Sequence, residues 1–368
     1  MSDGIDFSDC KRNLNTYGGA NGNKIGIIYN GENYMLKFPS NIKNLTKQKI
    51  KGEYTNSCVN EYVGSHIFQS LGIEAQETLL GTYQDKIVVA CKDFESDGYR
   101  FADFASLKNT VIDSESNGYG TELKDILYIF EEQMSFEISP QDFKEHFWKM
   151  FIVDSLLGNF DRHNGNWGFL INKELGKVKF APIFDCGSCL FPKAVNDKMF
   201  KDGMSNQEIR ENRLYLYPNS AIKLHNKKIN IFNFLSQTDN QDCLQAYDDI
   251  IKHLNLEVIN KIIDETPYIS DLNKEFLKFI VFDRKKNLLE KAILENKNIS
   301  RLYINETDIP RTDFAGFEFS NTSGMDKIRD EALAKEQSSI NTQKPTKNDG
   351  DKPNIDEDKP SGPSGPRM

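Results

Sequence analysis

Two nearby segments of the chain decide which fold it adopts: residues 158–170 read GNFDRHNGNWGFL, and residues 183–190 read IFDCGSCL. The first segment places Asp161 and Asn166 five positions apart, and the second adds another acid, Asp185, ahead of a turn of small residues. A tight loop can hold Asp161 and Asn166 on one rim, and a following hairpin can bring Asp185 to the same place. The spacing therefore predicts a cluster of two carboxylates and one amide.

The sequence on either side of this polar loop indicates a functional site and argues against an ordinary surface connection. Residues 147–157 are apolar at helical spacing, and residues 167–171 and 178–184 have the pattern of strands. A loop crowded with charged and amide groups between a buried helix and two strands is a usual position for functional residues. Kinase-fold phosphotransferases use such groups to orient a hydroxyl and to hold Mg²⁺ against nucleotide phosphates. The predicted catalytic residues are Asp161, Asn166 and Asp185, the last two as metal ligands.

The composition is that of a globular protein. The 368 residues, 38% of them hydrophobic and 11% aromatic, are enough for two sizeable cores. The net charge of −9 argues against direct nucleic-acid binding, because general nucleic-acid binders are usually basic. No apolar run approaches the roughly 18 residues of a membrane span. The N-terminal stretch MSDGIDFSDCKRN lacks the features of a signal peptide, so we expect a cytoplasmic protein. Any export would use a route that does not require a signal peptide.

The six cysteines do not form the pattern of a metal site. Only Cys186 and Cys189 form a C-x-x-C pair, and no second cysteine or histidine pair supplies the two further ligands of a structural zinc. The pair follows Asp185 directly, so we interpret it as part of that turn. Reduced thiols are favoured over a regulatory disulfide.

The two halves of the chain differ in their periodicity. Up to about residue 94 the pattern is that of strands around a single helix, with Asn30-Gly31 as a two-residue hairpin turn. From residue 141 onward the spacing is mainly helical. The predicted strands of the first half are 24–29, 33–38, 78–83 and 86–91, and the predicted helices of the chain are 60–71, 141–157, 231–235, 241–254, 256–265 and 274–295.

This layout predicts an α+β, bilobal, protein-kinase-like fold, with a small β-rich N-lobe over residues 1–94 and a larger helical C-lobe over residues 95–325. Residues 187–223 show few regular patterns, and we expect them to form a substrate-facing loop region. Residues 341–368 contain five of the twelve prolines and only two hydrophobic residues, too few to offset the chain entropy. Residues 326–368 are therefore predicted to be a disordered tail, with a short helix at 326–337 before its end.

Three further features supply the parts of a nucleotide site in the order that a kinase requires. Residues 17–24, YGGANGNK, form a glycine-rich turn whose backbone N–H groups can approach phosphates. Lys37 lies on the following strand, on the same face as Met35, where it can reach phosphate oxygens. Glu61 opens the predicted helix and can pair with that lysine. Each feature also has a plainer interpretation, as a flexible turn, a solvated lysine or an acid that favours the helix dipole.

In these motifs the chain resembles the HipA-like bacterial serine/threonine kinases, most closely their cell-translocating (CtkA-like) subgroup. GGANGNKIGI with YMLKFP is similar to that family's phosphate loop and strand lysine, NEYVGSHIFQSLGI to its helix with the pairing acid, and VVACKDFE to its linker. GNFDRHNGN is similar to its N-x-D-x-H-x-K-N signature, and APIFDCG to its metal-binding segment. The resemblance implies ATP and Mg²⁺ as cofactors, a protein substrate with a serine or threonine hydroxyl, and autophosphorylation. The nucleotide-binding residues that it implies are Gly18, Gly19, Ala20, Asn21, Lys24, Lys37, Glu61, Lys92, Asp93, Phe94 and His163.

Two features depart from that family. Its usual lysine just before the metal-binding amide is Gly165 here, so Lys24 or Arg162 is expected to supply the positive charge near the γ-phosphate. Toxin-type members of the family carry an additional N-terminal subdomain before the phosphate loop, which begins here by residue 17. An antitoxin-type partner is therefore uncertain.

A lipid kinase is the competing interpretation. NFDRHNGNW and IFDCGSCLFP are also similar to type II phosphatidylinositol 4-kinases, whose pattern Trp167, Phe191 and Pro192 fit. The chain has neither a cysteine-rich palmitoylation run nor a basic amphipathic stretch for a membrane surface, which favours a protein acceptor over a lipid or small-molecule one. A pseudokinase that serves as a binding module is disfavoured, because no part of the predicted site is missing.

Overall fold

The structure, a computed structural model, describes residues 4–15, 17, 24–40, 55–112, 117–132 and 137–297. The chain divides into two units, Met1–Thr307 and Asp308–Met368, and every described residue lies in the first. The predicted phosphate-loop residues Gly18, Gly19, Ala20 and Asn21 lie outside the described residues, as do the predicted tail and its helix. The predicted lobe boundaries at residues 94 and 325 stay predictions.

A six-stranded sheet forms the first part of the fold. In spatial order the strands are Ile5–Asp6 (β1), Thr78–Tyr83 (β5), Lys86–Lys92 (β6), Glu32–Lys37 (β4), Lys24–Tyr29 (β3) and Lys11–Arg12 (β2). β1 and β5 pair in parallel, and all other neighbouring strands are antiparallel. Between β3 and β4, Asn30 and Gly31 have φ angles of 49° and 84°, which confirms the predicted hairpin turn, since such turns need positive φ at both central residues.

One helix, Ser57–Ser70 (α1), packs on one face of this sheet. Val63, Ile67 and Phe68 of α1 are fully buried in the main core, and the opposite sheet face packs a smaller core around Phe7 and Leu36. The helix begins three residues earlier than predicted, so no acidic residue lies in its first turn. The interpretation of Glu61 as a first-turn acid that favours the helix dipole is therefore wrong.

A second sheet of three strands combines one strand that follows β6 with two strands from later in the chain. It contains Arg100–Asp103 (β7), Gly168–Asn172 (β8) and Lys177–Phe180 (β9), all antiparallel. The strand predicted at 178–184 is shorter than expected, because the chain leaves β9 after Phe180 and makes a single bridge from Ile183 to Ala75. Two helices that the apolar spacing did not reveal, Phe104–Val111 (α2) and Leu123–Glu132 (α3), precede the helical part.

The predicted helices of the second half are confirmed with small shifts of their ends. The long helix Pro140–Leu157 (α4) begins after the N-cap Ser139 and ends at Gly158, whose φ of 68° allows the chain to turn out of the helix. The last predicted helix is divided into Asp271–Arg284 (α10) and a π-helical turn, Lys285–Glu290, that follows it. None of the helices in the described ranges has the length and apolar character needed to cross a bilayer. The other predicted helices of this half are Ile231–Leu235 (α7), Gln241–His253 (α8) and Leu256–Glu265 (α9).

The prediction of an irregular region at 187–223 is wrong. The asparagines Asn196 and Asn206 each cap a helix by accepting a hydrogen bond from the backbone N–H three residues ahead. Arg213 is buried, and its guanidinium lies 5.5 Å from the centre of the Phe276 ring. The elements of this region are Asp197–Ser205 (α5), Gln207–Glu211 (α6), a π-helical turn at Asn212–Leu216 and the hairpin Lys223–Leu224 (β10) with Lys227–Lys228 (β11).

Candidate active site

Three charged side chains predicted from separate motifs meet at the end of β4, an inner strand of the six-stranded sheet. The Nζ atom of Lys37, at the end of β4, lies 3.1 Å from Oε1 of Glu61 in α1 and 2.9 Å from Oδ1 of Asp185. Lys37 lies on the sheet face of Met35, which packs against the main core, so the predicted inward orientation is confirmed. The Glu61 side chain is 2% exposed, whereas that of Asp185 is 40% exposed. The lysine is therefore anchored from the core and turned toward an acid that solvent and ligands can reach.

Small residues allow α1 to approach the segment after Asp185 this closely. A Cβ atom on Gly64 would lie 2.8 Å from the Cβ of Cys186, and one on Gly187 would lie 3.1 Å from Oε2 of Glu61. The backbone of Asp185 has a φ of 60°, a left-handed conformation that aspartate adopts more readily than most residues. The small-residue turn is thus required by the contact with α1.

The cysteine pair is part of this turn, as interpreted from the sequence. Cys186 and Cys189 are fully buried and are free thiols, and the Cys189 N–H donates to the Cys186 carbonyl at 3.0 Å. Burial raises the pKa of the Cys189 thiol well above its ordinary value, so this thiol is protonated at neutral pH.

The three charges of this cluster stabilise one another. The positive charge of Lys37 lowers the pKa of Asp185 to about 2, although burial acts in the opposite direction. Burial alone would lower the pKa of Lys37, but the carboxylates of Asp185 and Glu61 outweigh it and raise that pKa well above its ordinary value. Lys37 and Asp185 are therefore both charged throughout the neutral pH range.

A second lysine stands beside the first. Lys24 on β3 lies directly opposite Lys37 in the antiparallel register. Burial, and then the positive charge of Lys37, lower the pKa of Lys24, while Asp185 acts in the opposite direction. Two adjacent lysines next to a carboxylate form a cationic position that can attract phosphate oxygens.

The loop between α4 and β8 brings Asp161 and Asn166 together. Asn166 is buried, and its Nδ2 donates to the Asp161 carbonyl at 2.9 Å, so its amide oxygen is the group that can face a cation. Asp161 is half-buried. Burial raises the pKa of the Asp161 carboxyl above its ordinary value, the charge of His163 opposes the rise, and Asp185 adds to it. Since His163 accepts a hydrogen bond at Nδ1 from the Gly165 N–H at 3.0 Å, the imidazole is fixed against this loop.

Arg162 has a structural role that differs from the one expected from the sequence. Its Nε donates to Oδ2 of Asp154 in α4 at 2.8 Å, and its Nη1 donates to the carbonyls of Asn166, at 2.7 Å, and Phe184. The side chain is 3% exposed and also donates from Nη2 to the Cys186 sulfur at 3.7 Å. Arg162 therefore joins the loop of Asp161 to the segment of Asp185. The expectation that it supplies charge to a phosphate is wrong, because its donors are turned into the protein.

The departure at Gly165 has a steric explanation. A Cβ atom there would lie 3.0 Å from Cε1 of Tyr119 and 3.1 Å from Cε1 of His163. These rings occupy the space that a side chain at this position would need. With Arg162 buried, Lys24, which lies opposite Lys37 in the antiparallel register, is the remaining candidate for the expected positive charge.

The linker after β6 uses many of its polar groups within the protein. Lys92 donates its N–H to the Glu77 carbonyl at 2.9 Å, and its Nζ lies 2.8 Å from Glu32. Asp93 donates its N–H to the Asn33 carbonyl at 2.9 Å. Within the described part of the chain, the Asp93 carbonyl and both backbone polar groups of Phe94 make no hydrogen bond, so they are open to a ligand.

The side chain of Asp93 does not face the site. Its Oδ2 accepts hydrogen bonds from Asn15 at 3.0 Å and Tyr17 at 3.2 Å, and its Oδ1 accepts one from the Glu95 N–H at 3.0 Å. The Asp93 carboxylate therefore holds the segment that leads into the glycine-rich turn.

Three half-buried phenylalanines lie between the linker and the segment of Asp185. Phe94, Phe101 and Phe184 have ring centres 5.3–5.6 Å apart. Their rings offer an apolar surface to a planar group such as a nucleobase. Phe94 and Phe184 lie in motifs that the sequence identified, whereas Phe101 does not. Only the fold brings the three rings together.

The donor set at this site fits a magnesium ion bound together with a nucleotide. Asp185 and Asn166 offer one carboxylate and one amide oxygen, and no group of three or more His, Cys, Asp or Glu side chains that could hold a metal occurs among the described residues. Mg²⁺ usually takes one or two protein ligands and completes its shell with phosphate oxygens and water. A protein-only metal cage is not required for this chemistry.

Comparisons with known proteins agree with this geometry. The family model for the HipA-like C-terminal domain matches residues 16–261. The serine/threonine-protein kinase CtkA of Helicobacter pylori is 49% identical over 290 residues, which cover 78% of this chain and 87% of that protein. The crystal structure of a proinflammatory kinase CtkA of Helicobacter pylori aligns with a TM-score of 0.73 at 46% identity, over 80% of this chain and 99% of that one.

One more distant structure is too dissimilar to support a conclusion. HipA of Shewanella oneidensis, in a structure with HipB and operator DNA, aligns at 12% identity with a TM-score of 0.46. The extent of the family match and the identity to the kinase CtkA confirm the predicted kinase-like α+β fold and the predicted family. The chain therefore belongs to the HipA-like C-terminal domain family, as a HipA-like serine/threonine protein kinase.

Proposed function

We propose that this protein transfers the γ-phosphate of ATP, in the presence of Mg²⁺, to serine or threonine hydroxyls of a protein substrate, and that it also phosphorylates itself. The observation that carries the proposal is the Glu61–Lys37–Asp185 cluster, with Lys37 held 3.1 Å and 2.9 Å from the two acids. Transfer of a phosphoryl group depends mainly on positioning and on neutralising its charge, and this cluster supplies both.

The residues divide between the two substrates. Lys37 and Lys24 would bind phosphate oxygens together with the glycine-rich turn of Gly18, Gly19, Ala20 and Asn21, and the Asp93 carbonyl and Phe94 N–H would hold adenine. Asn166 and Asp185 would hold Mg²⁺, which neutralises phosphate charge when it is bound. Glu61 and His163 would keep the lysine and the loop in place.

Asp161 would accept the proton of the attacking hydroxyl. Its carboxyl is half-buried beside the metal ligands and has a raised pKa, which suits a group that takes up a proton during the reaction.

A transfer assay with labelled ATP tests the proposal. Wild type, Asp161→Ala and Asp185→Ala are incubated with three acceptors in parallel: the protein itself, a cell lysate and phosphoinositide vesicles. We expect label in protein for wild type and a loss on the order of a thousandfold for both variants, with unchanged circular dichroism.

The exposed Asp197→Ala, which removes an acid of α5, is the matched control and should retain activity. Wild-type rates in Asp161→Ala would overturn the catalytic assignment. Label confined to the vesicles would replace the protein kinase with a lipid kinase.

A further inference from the structure

A hairpin of basic residues stands beside the loop that carries the catalytic acid. Asn164 in that loop donates through Nδ2 to the carbonyls of Gly118 and Gly120, both at 2.8 Å. The next residue, Thr121, accepts a hydrogen bond from the N–H of Lys223 at 2.8 Å. A short segment of backbone thus joins the catalytic loop to the first strand of the β10–β11 hairpin.

The base of the hairpin is also packed under the same loop. Ser220 and Ile222 line a small cavity together with Arg162. Ile229, the residue after Lys228, donates its N–H to the Ile222 carbonyl at 2.9 Å and accepts the Ser220 N–H at 2.9 Å. The second strand, with Lys228, is therefore bonded to the residues that pack against this loop.

Two lysines of the hairpin are directly opposed. Lys223 and Lys228 are partners in the antiparallel register, and like charges in this position destabilise a strand pair. Glu122 does not neutralise them by an ion pair, since its Oε2 instead accepts the Asn226 N–H at 3.0 Å and holds the turn. Neither lysine makes an ion pair with any residue in the described ranges. A stability cost of this kind is expected where the charges serve to bind an anion.

We propose that Lys223 and Lys228 form a subsite for an anionic side chain of the acceptor, so that the protein prefers serine or threonine residues flanked by Asp, Glu or a phosphorylated residue. The inference rests on the proposed function, because it concerns the acceptor side of the same site. The chain as a whole carries a net charge of −9 and repels acidic segments, so two lysines beside the catalytic loop create a local exception. Such a patch raises the encounter rate and the affinity of an acidic segment selectively.

Peptide kinetics with the full chain test the subsite. Peptides with one central serine and otherwise identical sequence carry Glu, Gln, Lys or phosphoserine at the flanking positions, and kcat/KM is measured at saturating Mg-ATP. The double variant Lys223→Gln/Lys228→Gln is compared with Lys227→Gln. The latter removes one positive charge from the other face of the same hairpin, where its partner is Leu224.

We expect wild type to prefer the Glu peptide over the Gln peptide. The double variant should reduce the Glu-to-Gln ratio of kcat/KM about three- to tenfold, as expected for the loss of two partly exposed ion pairs. Lys227→Gln should leave the ratio unchanged. The phosphoserine arm distinguishes the two sources of negative charge, and a preference for either that the double variant loses supports the subsite.

Several outcomes would overturn the inference. Wild type could show equal rates with the Glu and Gln peptides, or Lys227→Gln could reduce the Glu-to-Gln ratio of kcat/KM as much as the double variant does. The double variant could also change the KM for ATP and leave the KM for peptide unchanged. Self-labelling without any peptide labelling would also count against it. Peptide labelling without charge preference rejects the subsite and leaves the proposed function standing, whereas no label in any acceptor rejects the proposed function itself.

Discussion

Glu61 is almost completely withdrawn from solvent, and Lys37 compensates its charge at 3.1 Å. Lys37→Ala should therefore remove a phosphate contact and also leave a buried carboxylate without its partner, at a cost of about 2–5 kcal/mol in the free energy of unfolding. Glu61→Gln should reduce turnover with a smaller loss of stability, because a neutral amide remains. Transfer assays and urea unfolding of both variants measure the two effects. Wild-type behaviour of both would mean that Lys24, not Lys37, makes the phosphate contact.

Arg162 connects two segments of the site through a planar fork of donors. Arg162→Lys keeps the charge but cannot bond Asp154 and the Asn166 carbonyl simultaneously, so we expect transfer to fall about ten- to a hundredfold. The KM for ATP should change less than kcat, since a positioning residue acts on geometry. Asp154→Asn leaves the guanidinium buried without its counter-charge and should destabilise the fold by about 3–5 kcal/mol. An Arg162→Lys variant with wild-type kcat would show that the fork has no positioning role.

At the scale of elements, the site depends on how closely α1 approaches the turn after Asp185. Gly64→Ala would gain about 1 kcal/mol of helix propensity but places a Cβ 2.8 Å from the Cβ of Cys186. We expect the helix to move away, Glu61 to leave Lys37, and transfer to fall while the helical circular dichroism is kept. Because the clash is with a Cβ atom, adding Cys186→Gly to Gly64→Ala should restore activity in part, and adding Cys186→Ala should not. Equal recovery by both would place the conflict elsewhere.

At the scale of the whole molecule, His146 makes stability depend on pH. Its ring stacks on Phe180 at 4.0 Å, and burial followed by the charge of Arg162 lowers its pKa to about 4. In the unfolded chain a histidine titrates near 6.5, so between these values the unfolded state binds more protons. Stability should fall by about 3 kcal/mol as the pH falls from 6.5 to 4. Below that range, protonation of Asp185, with its pKa of about 2, adds a further loss.

Urea unfolding between pH 7 and pH 4 measures this dependence. His146→Phe keeps an aromatic ring against Phe180 and removes the titrating group, so its stability should vary less over the range. An equally steep dependence in His146→Phe would assign the effect to other groups.

Local patterns in the sequence were sufficient for much of the fold. The Asn30-Gly31 turn follows from a backbone preference of those two residues, and α8 and α9 follow from apolar spacing that depends on near neighbours. The order of the motifs along the chain also predicted that Lys37 would pair with Glu61, because it is the order that a kinase requires.

Tertiary structure alone decided what each polar side chain does once the chain is folded. Lys37 and Asp185 are 148 positions apart, and no local pattern states that they meet at 2.9 Å. Arg162 stands in the same loop as Asp161, yet it is buried because Asp154 and the carbonyls of two segments converge on it. Burial and charge pairing depend on groups that are distant in sequence, whereas turns and helical periodicity depend on adjacent ones. For that reason the sequence determined the elements and the order of the motifs, and the packing of α1 and the catalytic loop decided the geometry of the site.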